Sequence, residues 1–213
     1  MRLAELGERS GVPVGTIKYY LREGLLAPGR RVSATQAEYD GTHLRRLNLV
    51  RALIQIGRVP VATAREVLAH VDDASLGTTI RLGAALWALP HPPDAPADDP
   101  VTAEVTAVVD HLLATLGWEH AREIGTLSPS YRSLVTTVTT LARLGYAHDP
   151  ESLAVYARQM ERVAQHDIER LEAFDEDGEK AEAAVASAVL FEPVLLALRR
   201  LAQEEHSTRR YGL

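Results

Sequence analysis

No cysteine occurs among the 213 residues. Disulfides, thiolate metal sites, iron–sulfur clusters and thiol redox switches are excluded with it. Aromatic residues make up only 5% of the chain, and Ala and Leu dominate, a composition that favours helix over sheet. No apolar run is expected to reach the roughly 18–20 residues that a membrane span requires. The opening Met1-Arg2-Leu3-Ala4-Glu5 has neither the apolar core nor the cleavage pattern of a secretory signal, so a cytoplasmic location is expected. Also absent are a nucleophile elbow, a phosphate loop, a metal pair and a paired-carboxylate motif. Enzymatic activity is therefore not expected, and neither is a cofactor.

What is present is an asymmetry of charge. The net charge of -6 hides a basic head and an acidic body. Residues 1–70 hold 11 Lys+Arg against 6 Asp+Glu, and residues 71–213 hold 12 against 23. A basic head points to a polyanionic partner for that part alone. Residues 90–100 carry five prolines, which forbid a continuous helix and favour an extended connector.

In the head, Leu3 and Leu6 begin a short helix, and Ser10-Gly11-Val12 turns the chain. Pro13 stands where a second helix, Val14–Glu23, begins, because its missing N–H would be unpaired there anyway. Ile17 and Leu21, four apart, share its inner face. Gly24 follows as a left-handed terminator, and Leu25 folds back onto the helix. Pro28-Gly29 turns again, and 30–39 reads as two short strands. Leu44, Leu47, Val50 and Ile54 mark a helix ending near Gly57, and Pro60 opens another. The outward face of the second helix presents Gly15, Thr16, Lys18, Tyr19 and Arg22. Its cations suit phosphate or guanine edges, and its hydroxyls suit phosphate. Tyr20 reads equally as core or as a phosphate ligand. Tyr39 either closes the strand pair by packing or reaches DNA through its hydroxyl. Arg45, Arg46 and Arg51 form either a solvated face or a further phosphate contact.

The order and spacing of Arg2-Leu3 to Leu6, Ser10-Gly11-Val12, Thr16-Ile17-Lys18-Tyr19-Tyr20, Glu23-Gly24-Leu25-Leu26 and Tyr39-Asp40 resemble the MerR family over residues 1–70. The resemblance implies a winged helix-turn-helix, a homodimer on inverted-repeat double-stranded DNA, and a promoter bent and twisted to suit RNA polymerase. Three departures stand out. The family's Gly-Tyr-Arg-x-Tyr wing is here Thr35-Gln36-Ala37-Glu38-Tyr39, so Arg30 and Arg31 are the candidates for the wing's phosphate contact. The helix at 75–89, where a long dimerisation helix is expected, is cut short at Pro90. The cysteines of the family's metal and redox sensors are missing, which leaves a small organic effector.

The expected fold class is mainly α: a winged helix-turn-helix (1–70), a connecting and dimerisation helix (71–89), a Pro-rich linker (90–100) and an all-helical effector or interaction domain (101–213), with helices near 101–117, 130–145, 150–174 and 179–205. Trp118, Tyr131, Tyr146, Tyr156 and Phe191 are candidate pocket residues, each with a competing role in core packing. Asp110 or Glu192 beside such a pocket would suit a cationic amphiphile. His111 and His120 lie nine apart, off any one-face ligand spacing, and His166-Asp167-x-Glu169 reads as a charged exterior, so no metal is expected. The alternative for the body is a protein-interaction module without a ligand.

Overall fold

A computed structural model describes residues 1–33, 36–96 and 98–212. Thr35 of the wing and Ala97 of the linker lie outside the described residues. The structure is mainly α, and its one small sheet has two strands. The chain divides into two compact units. One comprises residues 1–89 and 171–213, and the other residues 90–170.

The first unit opens with α1 (Leu3–Ser10) and α2 (Val14–Arg22). Gly11 takes φ 65° and ends α1, with its own N–H and that of Val12 returning to the last turn. Pro13, extended, starts α2 as its fixed φ dictates. Gly24 takes φ 74°, and the Leu25 N–H donates to the Tyr20 carbonyl at 2.9 Å, so the expected left-handed terminator is observed. The strands β1 (Arg30–Arg31) and β2 (Ala37–Glu38) pair antiparallel, Arg30 opposite Glu38 and Arg31 opposite Ala37.

Helix α3 (Gly41–Arg51) is held at its start by a capping box. Asp40 accepts from the Thr42 and His43 backbone N–H groups, and the Asp40 N–H donates to His43 Nδ1. It runs on into a π-helical turn, Ala52–Ile56, which the apolar spacing did not reveal. Then come α4 (Val61–Asp72), opened by Pro60, and α5 (Thr78–Trp87), shorter at both ends than 75–89.

The last helix of this unit is α10 (Asp177–Tyr211). Its N-terminal part buries Ala181, Val185 and Val189 in one core with Leu6, Ile17, Leu25, Leu47, Val50, Leu53, Val67 and Val71. A side chain at Gly57 would collide with Val189, so glycine lets α10 approach the end of the π-helical turn. The expectation that 101–213 forms a single body is therefore replaced. Residues 171–213 pack with the head, because the alanines and valines of α10 complete a core that 1–89 leaves open. By length and composition α10 is apolar enough to cross a bilayer, contrary to the expectation that no apolar run reaches that length. Its N-terminal part is instead a structural member of the head.

The second unit contains α6 (Pro100–Leu116), α7 (Glu119–Ile124), α8 (Pro129–Arg143) and α9 (Pro150–Leu171). Helices α6 and α8 each begin with a proline behind a capping side chain, Asp99 and Ser128. Val105, Val109 and Leu113 repeat every four residues on α6 and meet Tyr131, Val135 and Val138 of α8. The short α7 was not expected from the sequence. The Pro-rich residues before α6 form a strap docked on α8: the Ala95 N–H donates to Thr136 Oγ1 at 2.9 Å, and Asp94 pairs with Arg132 at 3.0 Å.

Candidate nucleic-acid interface

The helix-turn-helix is made rigid from within. Leu6, Val12 and Ile17 are buried between its two helices. Arg51 of α3 donates from Nη1 to the Ser10 carbonyl at 2.6 Å, so a guanidinium pins the turn from behind. Arg65 of α4 binds the other end of α2, donating to the backbone and the carboxylate of Glu23 at 2.7 Å each.

Those anchors fix which face of α2 points outward. Ile17 and Tyr20 are buried, and Lys18, Tyr19 and Arg22 are exposed on the opposite side, with Thr16 half-buried beside them. Arg22 lies 6.0 Å from the centre of the Tyr19 ring, a cation–π distance that holds both groups at the surface. Gly15 is exposed with open space around it, which lets another backbone come close. On the wing, Arg30 and Arg31 are both exposed. Arg30 is tied to Glu38 across the strand pair.

The two tyrosines with alternative roles take the packing one. Tyr20 sits in the head core, where burial raises its hydroxyl pKa. Tyr39 is buried edge-on against His43, their ring centres 5.1 Å apart, and packs over Gly29. A side chain on Gly29 would run into the Glu38 carbonyl and the Tyr39 ring, so glycine is required where the wing begins. Arg45, Arg46 and Arg51 are paired within the chain: Arg45 with Glu179, Arg46 with Asp72 and Glu182, Arg51 with Ser10. Glu179 and Glu182 of α10 thus neutralise Arg45 and Arg46. The sequence hid this because the partners lie more than 130 positions apart.

The candidate pocket residues are not brought together. Tyr131 alone lines a cleft of about 380 Å³ in the second unit. The Trp118 indole packs on that unit's core and donates to Glu161, Tyr146 and Tyr156 are largely exposed, and Phe191 belongs to α10 of the other unit. Asp110 accepts from the Tyr131 hydroxyl at 2.7 Å, and Glu192 lies on α10. Among the described residues no cluster of metal-ligating side chains occurs.

Residues 1–71 match the model of the MerR HTH family regulatory proteins. The chain is 38% identical over 56 residues to the nodulation protein NolA of Bradyrhizobium elkanii, and 36% over 50 residues to an HTH-type transcriptional regulator, the ZntR homolog of Haemophilus influenzae. Those matches cover 26% and 24% of this chain and only 26% and 37% of the two relatives. Along its whole length the chain is similar to the crystal structure of SCO5550, a proposed transcriptional regulator from Streptomyces coelicolor A3(2). The TM-score is 0.86 at 58% identity, over 100% of this chain and 99% of that one. With its buried helix-turn-helix core and basic α2 face, the chain belongs to the MerR family of helix-turn-helix regulators, DNA-binding proteins that control transcription.

Proposed function

We propose that the protein binds an inverted-repeat promoter operator as a homodimer, with α2 in the major groove, and that a small organic molecule bound by residues 90–170 controls its effect on RNA polymerase. The observation that carries the DNA contact is the exposed Lys18–Tyr19–Arg22 face, held outward by the Arg51 and Arg65 anchors. An α-helix fits a groove about 12 Å wide, and the two cations are one helical turn apart along it. Arg31 on the wing supplies the flanking phosphate contact that Gln36 and Ala37 do not.

Pairing of protomers is assigned to the C-terminal half of α10 rather than to α5. The inner side of α5 is already used against α4 and α10, with Ala85 fully buried. On α10, by contrast, Phe191, Val194, Leu198 and Leu201 follow alternating three- and four-residue steps and stand exposed at the surface of a protomer. That spacing is a coiled-coil seam, and a seam of this kind is covered by a second helix of the same pattern. A DNA-binding regulator of this kind works in the cytoplasm.

The test is a footprint on DNA upstream of the protein's own gene and on random fragments, at two salt concentrations. A two-fold-symmetric protected site, weakened by salt and by Lys18→Ala, supports the reading. Absence of binding to any duplex at low salt refutes it.

A further inference from the structure

The cleft in the second unit has an unusual wall. It is bounded by the strap (Asp94, Ala95), by α6 (Thr102, Ala103, Thr106) and by α8 (Tyr131, Arg132, Val135, Thr136). Threonine is its commonest residue, and yet its surface is mostly carbon. The hydrogen bonds explain why. The Thr102 hydroxyl donates to Asp99 at 2.8 Å, and the Thr106 hydroxyl to the Thr102 carbonyl at 2.8 Å. Thr136 Oγ1 is occupied by the Ala95 N–H. With their oxygens engaged, these three of the four lining threonines have their methyl groups left to offer, and the fourth, Thr126, is solvent-exposed.

Charge is cancelled in the same way. Arg132 is paired with Asp94 and also donates to the Thr126 and Leu127 carbonyls, and the Tyr131 hydroxyl is bound to Asp110. No lining charge is left without a counter-charge among the described residues. Transferring an ionic ligand into such a surface would cost its hydration without returning a partner, whereas an uncharged apolar ligand loses nothing. A volume of about 380 Å³ falls within the range of small-molecule sites.

We propose that this cleft is a binding site for an uncharged, mostly apolar organic molecule, seated between α6, α8 and the Pro-rich strap. The proposal rests on reading residues 90–170 as the ligand-sensing unit, and it names the site and the ligand chemistry of that unit. Because the strap is one wall, an occupant presses on the segment through which the chain leaves α5.

The probe is N-phenyl-1-naphthylamine, uncharged and fluorescent in apolar surroundings, with 8-anilino-1-naphthalenesulfonate as the same skeleton bearing a charge. The full-length protein is expected to bind the first saturably, one per chain, and the second more weakly by roughly tenfold or more. Ala103→Trp fills the cleft from an exposed position, and Thr106→Phe fills it one turn along. Both are expected to weaken the neutral probe by roughly tenfold or more, whereas Leu198→Ser on α10 leaves it unchanged. Exchange of the Ala95 amide hydrogen is expected to slow when the probe is bound. No probe binding, equal affinity for the anionic probe, wild-type affinity in both filled variants, loss only in Leu198→Ser, or an Ala95 amide indifferent to the probe each overturns the assignment. Footprints run on the same preparations separate the two readings: DNA protection without probe binding removes the cleft and leaves the DNA-binding function standing.

Discussion

The guanidinium of Arg51 lies 2.6 Å from the Ser10 carbonyl oxygen, spanning 41 positions of sequence to close the turn between the two helices that approach DNA. The contact makes the turn's geometry a property of α3 as well as of the turn. Replacing Arg51 with Met keeps the stem and removes the donor. Stability is expected to fall by about 1–3 kcal/mol, the range for losing a charge-assisted hydrogen bond to a part-buried carbonyl. Urea unfolding checks the first effect. DNA affinity measured where the variant is fully folded checks the second, a weakening caused by a looser turn. An affinity equal to wild type would show that Ser10-Gly11-Val12 holds its shape unaided.

Lys18 and Arg22 lie on the exposed side of α2, with no ion-pair partner among the described residues. Each alanine variant is expected to fold and dimerise normally and to bind DNA more weakly. Loss of a phosphate contact lowers the slope of log affinity against log salt by about one, and loss of a base contact relaxes preference at one base pair. Titrations over a salt series on the specific site and on its single-base variants read both quantities.

How much of this was legible in the sequence follows from the range of the interactions. Gly24 and Leu25 were readable because a left-handed terminator and its returning residue are neighbours, and the structure gives φ 74° and the Leu25-to-Tyr20 hydrogen bond. The outward set Lys18, Tyr19 and Arg22 was readable for the same reason, since helix periodicity is local. The engagement of Arg45 and Arg46 by Glu179 and Glu182 was not, because nothing near the arginines marks their distant partners. The same distance concealed that α10 joins the head. The ring count that suggested a pocket failed because burial, not aromaticity, gathers residues. Tyr131 lines the cleft while Tyr146 and Tyr156 face solvent.

Gly15 and Gly24 are expected to respond in opposite ways to a side chain. Gly15 lies within α2 in ordinary helical conformation with open space around it, whereas Gly24 has a positive φ. Gly15→Ala should raise stability by less than the about 0.5–1 kcal/mol that glycine costs in a helix interior, because Gly15 lies in the first turn of α2. Gly24→Val should lower it by roughly 1–2 kcal/mol through the left-handed penalty. Thermal melts of the two variants suffice, and an unchanged melting temperature for Gly24→Val would remove the terminator from the account of α2.

Acid should destabilise the head through Asp40. The Thr42 hydroxyl first, then the His43 side chain and the backbone N–H groups of both residues, hold its carboxyl well below the ordinary range. A group depressed in the folded state stabilises above its unfolded pKa and loses that contribution as pH falls through the folded value. The loss therefore begins near the unfolded aspartate pKa of about 4 and continues below it. Asp40→Asn keeps a capping side chain without a titrating proton. Its stability is expected to be less pH-dependent over that acid range than wild type, though not flat, because Asp73, Asp99 and Asp149 are depressed in the same direction by hydrogen bonds from Ser75, Thr102 and Ser152. Denaturant midpoints measured on both proteins from neutral to strongly acidic pH give the comparison.

Leu198 and Leu201 on α10 offer the sharpest test of the assembly. Both are exposed in the protomer, at 56% and 59%, although Val189, nine residues before Leu198 on the same helix, is part of a core. Burying two leucines against a partner removes apolar area worth about 1.5–3 kcal/mol each in each protomer. A Leu198→Ser/Leu201→Ser variant should therefore dissociate without unfolding, since no core residue of the head is touched. Light scattering coupled to gel filtration is expected to show a dimer for wild type and a monomer for the variant. Circular dichroism should show the head intact, apart from fraying at the C-terminal end of α10. DNA binding should then drop from a full operator to a half-site, with the loss set by the coupling of two α2 helices through one dimer. A variant that remains dimeric would move the pairing surface elsewhere on the chain. A wild-type protein that is itself monomeric at the concentrations where it protects DNA would mean that the operator, rather than α10, brings the two copies together.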